Sequence, residues 1–382
     1  MRLLIDARIG WPHGIGRVIS NTVPLIALAH PDWQIDALVG PDDLDIARAA
    51  FAIAPNVTVV SCEIHGFSMA EQTRLERHAA GHDLTWFTNY WVPLRWRTPF
   101  VATVHDMLHL MPELLPASRV KRLLSQRTFA KVRRDARTVI FVSRFTQQEF
   151  TRMVGAPAHG VAIPLGGDHL DYPPPRRLGD RTRRLIVVAQ PKKHKNFALL
   201  LQAWQRAQIA DHWRLTIVTP DDAMLRSSID LDALAGAGGA RQAGRIEVRR
   251  GIDNAELSAL YGDSAILLMP SRYEGFGLPL LEGMRAGALC VSSNAGAMVE
   301  VAQGAFVSFV NATDGTGWTA AIERACRMID DAQLDLDTLV AHNAAHAAGF
   351  RWRDTARAIA ATLQAAAGGT VVAGTQPDGA IS

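Results

Sequence analysis

Two patterns of apolar and polar positions alternate along the first half of the chain. Short apolar runs predict buried strands, and segments with apolar residues three or four positions apart predict helices. The predicted helices include one from Val18 to His30 and a basic one in SRVKRLLSQRTFAKVRRDA. The predicted strands are MRLLIDARI, WQIDALVG, VTVVSCEI, PFVATVHDMLHL and TVIFVS. Strands that alternate with helices indicate a parallel α/β sheet.

The segment DYPPPRRLGDRTRR, residues 171–184, interrupts this alternation with prolines, a glycine and charges, which are typical of a linker. The alternation then restarts, with strands in RLIVVAQ, WRLTIVT, RIEVRR, AILLMPS and LCVSS and helices in NFALLLQAWQRAQ and NAELSALYG. A chain of 382 residues suits two domains. We therefore predict two doubly wound domains, 1–170 and 185–350, followed by a helix at 351–367 and a flexible tail at 368–382.

The composition narrows the class of protein. Hydrophobic residues make up 48% of the chain and the formal net charge is only +3, so we expect a large core and no nucleic-acid partner. The cysteines, Cys62, Cys290 and Cys326, are far apart and indicate a reducing compartment. Asp6 argues against a signal peptide, and there is no apolar run of about 18 residues that would span a membrane. These features predict a cytoplasmic protein.

The stretch SRYEGFGLPLLEGMRAG, residues 271–287, carries the candidate chemistry. It follows a predicted strand, and ligands of open α/β sheets bind beyond the carboxyl ends of strands. A helix that starts near Pro279 would direct its free N–H groups and its dipole toward this loop, which suits a pyrophosphate. Glu274 and Glu282 could then accept hydrogen bonds from the hydroxyls of a nucleotide sugar. An ordinary helix cap with two surface acids explains the same spacing equally well.

This stretch also resembles the E-x7-E signature of the family 4 (group 1) retaining glycosyltransferases, which have the GT-B fold. The likeness runs from about residue 3 to residue 365. It implies two Rossmann-like domains that face each other across a cleft, the first for the acceptor and the second for the nucleotide sugar, with the 351–367 helix as a candidate to cross back. The other matching motifs are DARIGWPHGIGR, VATVHDMLHLMPE, FVSRFTQQEF, VAQPKKHKNFALLLQAW, AELSALYGDSAILLMPS and NAGAMVEVA.

The resemblance implies a role for each residue of the second domain's site. Glu282 would hold the ribose hydroxyls, Glu274 would lie by the donor sugar, and Lys195 would pair with the phosphates, although a solvated cation at a helix start is the alternative for Lys195. Many members carry an arginine where this chain has Gln190, so phosphate stabilisation would depend more on Lys195 and the helix end. The remaining donor contacts would come from the turn, at Gly275, Phe276, Gly277 and Leu278.

In the first domain, the resemblance places the histidine of the HD motif, His105, near the donor sugar, whereas a structural cap formed with Asp106 is the alternative. It also places the loop of Gly14 and Gly16 near the phosphates and the acceptor. The glycine spacing in this loop does not fit an NAD site.

The implied reaction transfers a hexosyl group with retention. Glu274 is the clear candidate for a carboxylate near the anomeric carbon, and because the resemblance places it beside other sugar hydroxyls, we favour same-face displacement. No Asp-x-Asp motif ends a predicted strand, since the DLD triplets at 230 and 335 lie in helix or loop contexts. We therefore expect no metal and no other cofactor.

The basic segment 118–137 mixes apolar residues with arginines and lysines, so it could lie on an anionic membrane surface or simply pack on the sheet. Trp86, Tyr90, Trp91 and Trp96 could stack on an acceptor sugar or form core.

The functional hypothesis is a glycosyltransferase, cytoplasmic or at the inner face of the membrane, that extends a saccharide or lipid-linked saccharide in surface polysaccharide or glycolipid assembly. GDP-mannose is the first candidate for the donor and a UDP-hexose the second, by resemblance. The alternatives are a transferase with a small soluble acceptor and a non-catalytic nucleotide-sugar-binding scaffold.

Overall fold

A computed structural model of the chain describes residues 1–11, 14–66, 68–116, 118–172, 176–220, 244–331 and 335–368. The described residues divide into two compact units. The first unit comprises the described residues of 1–110, of 117–166 and from 351 onward. The second unit comprises the described residues of 111–116 and 167–350. The DLD triplet at 230 and the predicted tail beyond residue 368 lie outside the described residues.

The first unit is built on a sheet of seven strands in the order β3-β2-β1-β4-β5-β6-β7, and every neighbouring pair is parallel. This order is doubly wound, with the first strand next to the middle of the sheet. The strands are β1 Arg2–Asp6, β2 Gln34–Val39, β3 Val57–Ser61, β4 Leu84–Phe87, β5 Phe100–Val104, β6 Thr138–Phe141 and β7 Gly160–Ala162.

Helices cover the sheet of the first unit and close its core. The last of them supplies Ile359 and Leu363 to the same apolar cluster as Ile19 and Val23 of the first helix. The helices are α1 Gly14–Ala29, α2 Leu44–Phe51, α3 Met69–Arg74, α4 Arg119–Asp135, α5 Arg144–Val154 and, at the end of the chain, Trp352–Ala367. The predicted segment 351–367 is therefore a helix of the first unit, packed against α1.

Helix α1 begins at Gly14, four residues before the predicted start at Val18. The chain reverses at Gly10, where φ is +115°, and the N–H of Gly16 donates to the carbonyl of Gly10 at 3.1 Å. A Cβ on Gly16 would lie 3.0 Å from that carbonyl oxygen, so this close approach favours glycine. Gly14 and Gly16 thus lie in the first helical turn, although their composition predicted a loop.

The aromatic cluster of the first unit belongs to its core. Trp86, Trp91 and Trp96 are buried. The indole N–H of Trp86 donates to Thr103 Oγ1 at 3.0 Å, and the ring of Tyr90 stacks on Phe129 with centroids 4.0 Å apart. Of the two interpretations that the sequence left open, core packing is the one that the structure supports.

The second unit contains a six-stranded parallel sheet in the order β10-β9-β8-β11-β12-β13. Its strands are β8 Thr182–Val188, β9 Arg214–Thr219, β10 Ile246–Arg250, β11 Ser264–Met269, β12 Leu289–Ser293 and β13 Ser308–Val310. Its helices are α6 Phe197–Arg206, α7 Asn254–Asp263, α8 Leu278–Arg285, α9 Met298–Val301, α10 Gly315–Asp330 and α11 Leu336–Ala348, and the terminal helix Trp352–Ala367 is α12. Together the two parallel sheets confirm the predicted α/β class.

Strand β8 begins at Thr182, inside the segment 171–184 that composition marked as a linker. Two arginines at the start of this strand are held by acids of the same unit. Arg183 pairs with Asp330 at 2.9 Å, and Arg184 pairs with Asp263 at 3.0 Å. Charge on this strand is therefore neutralised rather than solvated, which a composition rule does not detect.

A buried charge cluster fixes the carboxyl end of β1. The Arg8 guanidinium donates to both carboxylate oxygens of Asp6 and to Glu71 Oε1, each at 2.8 Å, and to the carbonyl of Ile64 at 2.6 Å. All three charged side chains are almost fully buried. Removing Arg8 would leave two buried carboxylates without their counter-charge in a region of low dielectric, and this would destabilise the folded state.

We expect Arg8→Met to lower the free energy of unfolding by about 3–5 kcal/mol, because Asp6 and Glu71 would lose their buried counter-charge. Arg134→Met is the matched control, since Arg134 forms an exposed pair with Asp135 and should contribute under about 1 kcal/mol. Urea denaturation followed by tryptophan fluorescence measures both. Equal losses in the two variants would show that the cluster does not stabilise the first unit.

Candidate active site

The candidate site lies at the carboxyl edge of the second sheet, where β8 and β11 are neighbours. The loop after β8 and the loop after β11 are joined by backbone hydrogen bonding, since the N–H of Arg272 donates to the carbonyl of His194 at 2.7 Å. The parallel pairing of the strands brings these two loops to the same edge of the sheet. Two segments that are distant in the chain therefore form one surface.

Asn196 fastens these loops. Its amide group donates to the carbonyls of Pro270 at 3.1 Å and Ala312 at 2.7 Å. Its backbone is left-handed, with φ +62°, and it is the residue before α6. Asparagine tolerates this conformation better than most residues with a side chain. The conformation and the two bonds together fix the position of Lys195, its neighbour.

Lys195 and Glu274 form an ion pair at this edge. The Lys195 ammonium lies 2.7 Å from Oε1 and 2.9 Å from Oε2 of Glu274, and both side chains are mostly buried. Burial acts to raise the pKa of Glu274, but the charge and hydrogen bonding of Lys195 and a hydrogen bond with Ser271 outweigh it. The pKa of this carboxyl therefore lies below its ordinary value, and Glu274 is ionised at neutral pH.

The backbone of Glu274 is held by the loop after β12. The N–H of Ala297 donates to the Glu274 carbonyl at 3.0 Å. Gly296, with φ +69°, approaches so closely that a Cβ on it would lie 2.6 Å from both the backbone nitrogen and the backbone oxygen of Glu274. This close contact with Gly296 helps to set the position of the acid.

The glycine turn leads into α8 with Gly277 as its N-terminal cap, at φ +101°. Leu278 is the first helical residue and is half-buried, and Gly275 and Phe276 are buried in the turn. The helix packs tightly on β11, since a Cβ on Gly283 would lie 2.4 Å from Leu267 Cδ2. The predicted start of this helix near Pro279 is confirmed to within one residue, and its free N–H groups end at the loop of Glu274.

Glu282 lies in α8 and is buried inside the second unit, with its side chain 1% exposed. Its Oε2 accepts a hydrogen bond from the Tyr261 hydroxyl at 2.6 Å, and its Oε1 lies 3.0 Å from His169 Nε2. Both carboxylate oxygens thus have partners within the second unit. The interpretation of Glu282 as an exposed surface acid is therefore wrong, because α8 turns this position inward.

Gln190 follows β8 and is half-buried, and its carbonyl accepts from the N–H of Lys192 at 2.8 Å. The residue thus lies at the carboxyl edge on which the prediction placed it.

His105 lies in the first unit, directly after β5. Its Nε2 lies 2.8 Å from the carbonyl of Thr88, so this nitrogen carries the proton and donates. Burial lowers the pKa of His105, against the opposing effects of the Thr88 carbonyl and of Asp106. A neutral ring at physiological pH leaves Nδ1 as an acceptor.

Four residues that contact or adjoin Lys195, Glu274 or Glu282 were not predicted as part of the site: Asn196, Gly296, His169 and Tyr261. Asn196 and Gly296 lie in motifs that the sequence singled out, HKN and NAG, so their positions gave a signal without revealing their roles. Tyr261 also lies in a motif that the sequence singled out, AELSALYGDSAILLMPS, whereas His169 carries no local signal. Their importance arises only from contact with Glu282, which lies 113 positions from His169 in the chain.

Two family models match the chain. Residues 14–169 match the model described as glycosyltransferase family 4, and residues 182–328 match the model described as glycosyl transferases group 1. Together the two models cover most of both units.

Curated relatives match part of the chain. O-antigen chain mannosyltransferase B of Escherichia coli is 25% identical over 229 residues, which are 56% of this chain and 57% of that protein. MMP α-(1→4)-mannosyltransferase of Mycolicibacterium hassiacum is 28% identical over 213 residues, 53% of this chain and 50% of that protein. The chain thus spans about half the length of these relatives.

Among solved structures, that of HepE from Anabaena in complex with UDP-glucose superposes with a TM-score of 0.73. It is 18% identical and covers 96% of this chain and 100% of that chain. At this identity the likeness shows the fold, which is GT-B, with two Rossmann-like parallel sheets.

We expect Gly296→Ala to be more destabilising than Gly304→Ala by about 1–3 kcal/mol, because the added methyl group would force the Glu274 backbone to move. Both glycines have positive φ, so both variants bear the cost of a left-handed alanine, but a Cβ on Gly304 would meet nothing within 4 Å. Thermal denaturation of the two variants isolates the contact. Equal melting temperatures would mean that Gly296 does not hold Glu274.

Proposed function

This chain belongs to the family 4 (group 1) glycosyltransferases, and we propose that it transfers a hexosyl group with retention from a nucleotide sugar to a saccharide or lipid-linked saccharide. The proposed setting is the assembly of a surface polysaccharide or glycolipid. The observation that carries the proposal is the Lys195–Glu274 ion pair beside the N-terminus of α8, at the carboxyl edge of the second sheet.

The arrangement of the second unit supports a donor site. A nucleoside diphosphate at the start of α8 would meet the positive end of the helix and the backbone N–H groups of Gly275, Phe276, Gly277 and Leu278. Lys195 would exchange part of its contact with Glu274 for the phosphates and neutralise charge on the leaving group. Gln190, an uncharged amide at the same edge, would add a hydrogen bond. Glu282 would accept the ribose hydroxyls.

Retention in this proposal proceeds on one face of the sugar. Glu274 accepts two close contacts from the Lys195 ammonium, which lowers the nucleophilicity of its carboxylate. The ionised acid is suited instead to accept hydrogen bonds from hydroxyls of the donor sugar. The departing phosphate would then take the proton of the acceptor hydroxyl as the new glycosidic bond forms and the bond to phosphate breaks.

The first unit would provide the acceptor side in this proposal, with residues 1–170 as the acceptor-binding domain. Neutral His105 presents Nδ1 as an acceptor for a hydroxyl of the donor sugar, since its Nε2 proton is donated to Thr88. Gly14, exposed in the first turn of α1, would offer the helix start to a phosphate or acceptor oxygen, and buried Gly16 would hold that turn against Gly10.

For the donor we propose GDP-mannose first and a UDP-hexose second. The names of the two curated relatives, both mannosyltransferases, support the first. The UDP-glucose complex of HepE supports the second.

We also propose that α4 brings the enzyme to the cytoplasmic face of an anionic membrane. Phe129 and Val132 are buried, whereas Val120 is 69% and Leu123 47% exposed, next to the cations of the segment 119–122. The C-terminal half of α4 therefore packs on the first unit, and its N-terminal half offers apolar and basic side chains to a surface. No helix in the described part of the chain has the length and hydrophobicity needed to span a bilayer.

We expect the full chain to release hexose from GDP-mannose faster than from UDP-glucose, and Lys195→Gln to reduce that rate about a hundredfold or more, because the leaving diphosphate loses its counter-charge. Lys193→Gln is the matched control, since Lys193 is an exposed lysine of the same loop. The measurement is NMR of the products, in which the first-formed hexose should keep the anomeric configuration of the donor.

An inverted product would contradict the retaining mechanism, and equal losses in the two lysine variants would remove Lys195 from its role. Nucleotide binding without hexose release, in water or with mannosyl-terminated saccharides, would favour a nucleotide-sugar-binding scaffold.

Flotation with liposomes tests the membrane proposal. The chain should float with phosphatidylglycerol vesicles and not with phosphatidylcholine vesicles. The double variant Val120→Asp/Leu123→Asp should lose most of this binding, because it places charge where apolar side chains enter the interface. The control is Ile46→Asp/Ile53→Asp, which changes two exposed apolar residues of the same unit outside α4. If both double variants float like the unaltered chain, α4 is not the contact.

A further inference from the structure

Glu282, the proposed ribose acceptor, is closed off in this structure. Its side chain is 1% exposed, and that of His169 beside it is 3% exposed. Each carboxylate oxygen already has a hydrogen-bonding partner, Tyr261 at 2.6 Å on Oε2 and His169 at 3.0 Å on Oε1. Each oxygen could accept a second hydrogen bond, but the carboxylate is almost wholly enclosed, so a ribose hydroxyl reaches it only if one of these partners yields its place.

The two partners differ in how firmly they are held. Tyr261 is fully buried in α7, where its ring meets Tyr172 edge-on with centroids 6.4 Å apart. His169 lies in residues 163–172, which follow the last strand of the first unit and form neither helix nor strand. A phenol within a packed helix is fixed, whereas a side chain on a loop can change rotamer with less disturbance.

The segment around His169 is anchored on both sides of that residue. The N–H of Gly167 donates to the carbonyl of Phe350 at 3.0 Å, and the Ser258 hydroxyl donates to the carbonyl of Asp171. Gly167 also packs on α8, since a Cβ on it would lie 2.6 Å from Leu281 Cδ2. These contacts hold the backbone over α8 independently of the His169 side chain.

We propose that Tyr261 and His169 extend the donor site as two positioning residues with different tasks. Tyr261 is the fixed donor that orients the Glu282 carboxylate. His169 is the exchangeable donor, whose Nε2–H satisfies Oε1 until a ribose hydroxyl of the nucleotide replaces it. This inference rests on the proposed function, because it requires a nucleotide whose ribose binds Glu282.

The exchange has an energetic reason. A buried carboxylate that loses a donor without replacement is strongly destabilised, so an empty site needs a substitute for the ribose. Histidine can supply that bond and withdraw when a hydroxyl offers an equivalent one. Part of the binding free energy of the nucleotide is then spent on displacing His169, and this lowers the observed affinity.

The proposal predicts changes of opposite sign in two variants of the full chain, measured by isothermal titration with GDP and UDP. His169→Ala should bind the better nucleotide about tenfold more tightly, because the free state loses its internal donor and the bound state does not. Tyr261→Phe should bind it about tenfold more weakly, because the Glu282 carboxylate is then no longer held in the orientation that the ribose requires, and binding has to order it. His169→Gln, which keeps an N–H donor, should fall between His169→Ala and the unaltered chain.

His342→Ala is the matched control, because His342 belongs to the same unit but donates to the carbonyl of Gly304 and not to Glu282. The His342→Ala variant should bind the nucleotide with the affinity of the unaltered chain. A second readout is thermal denaturation, in which His169→Ala should melt lower without nucleotide and gain more on adding it. His169→Gln tests the same bond if the alanine variant does not fold.

The outcomes separate this inference from the function on which it rests. If the unaltered chain binds nucleotide and Glu282→Gln weakens that binding, but His169→Ala weakens it too or leaves it unchanged, His169 is a structural anchor and the inference fails alone. If the unaltered chain binds neither GDP nor UDP, the proposed function fails and the inference fails with it.

Discussion

The parallel pairing of β8 with β11 is the constraint on which the candidate site depends. Because both strands run in the same direction, the loops that leave their carboxyl ends emerge side by side. Lys195 and Glu274 are 79 positions apart in the chain, yet their charged atoms come within 2.7 Å. Asn196 then limits the freedom of these loops by bonding two carbonyls from other segments. The ion pair is thus a product of sheet topology more than of local sequence.

Much of the fold could be predicted because buried parallel strands differ sharply in composition from the segments between them. The run LCVSS coincides with β12, Leu289–Ser293. Strand β4, Leu84–Phe87, was not predicted. It lies between β1 and β5 and is buried at every position, so it shows no alternation, and its Trp86 was weighed as a possible ligand contact. Short central strands are difficult to recognise because the surrounding sheet, and not their own pattern, defines them.

The candidate site was predictable to the extent that its chemistry is local. Glu274 could be selected from the glycine turn that follows it, whereas Lys195 was assigned through the family resemblance, and the structure brings the two together. The surroundings of Glu282 were not predictable, because Tyr261 and His169 reach it from distant segments. The close approach of Gly296 to Glu274 is of the same kind, since a glycine in a sequence does not reveal what it approaches.

Helix α12 has a consequence for how the molecule is made. The chain leaves the first unit at residue 166 and re-enters it at 351, and only then supplies Ile359 and Leu363 to the core beside α1. Translation proceeds from the N-terminus, so the ribosome must produce all of the second unit before the first can complete its core. Until α12 emerges, the apolar face of α1 that it covers stays open to solvent or to a chaperone. The first unit, most of which is translated before the second, therefore completes its core only after the second unit has been synthesised.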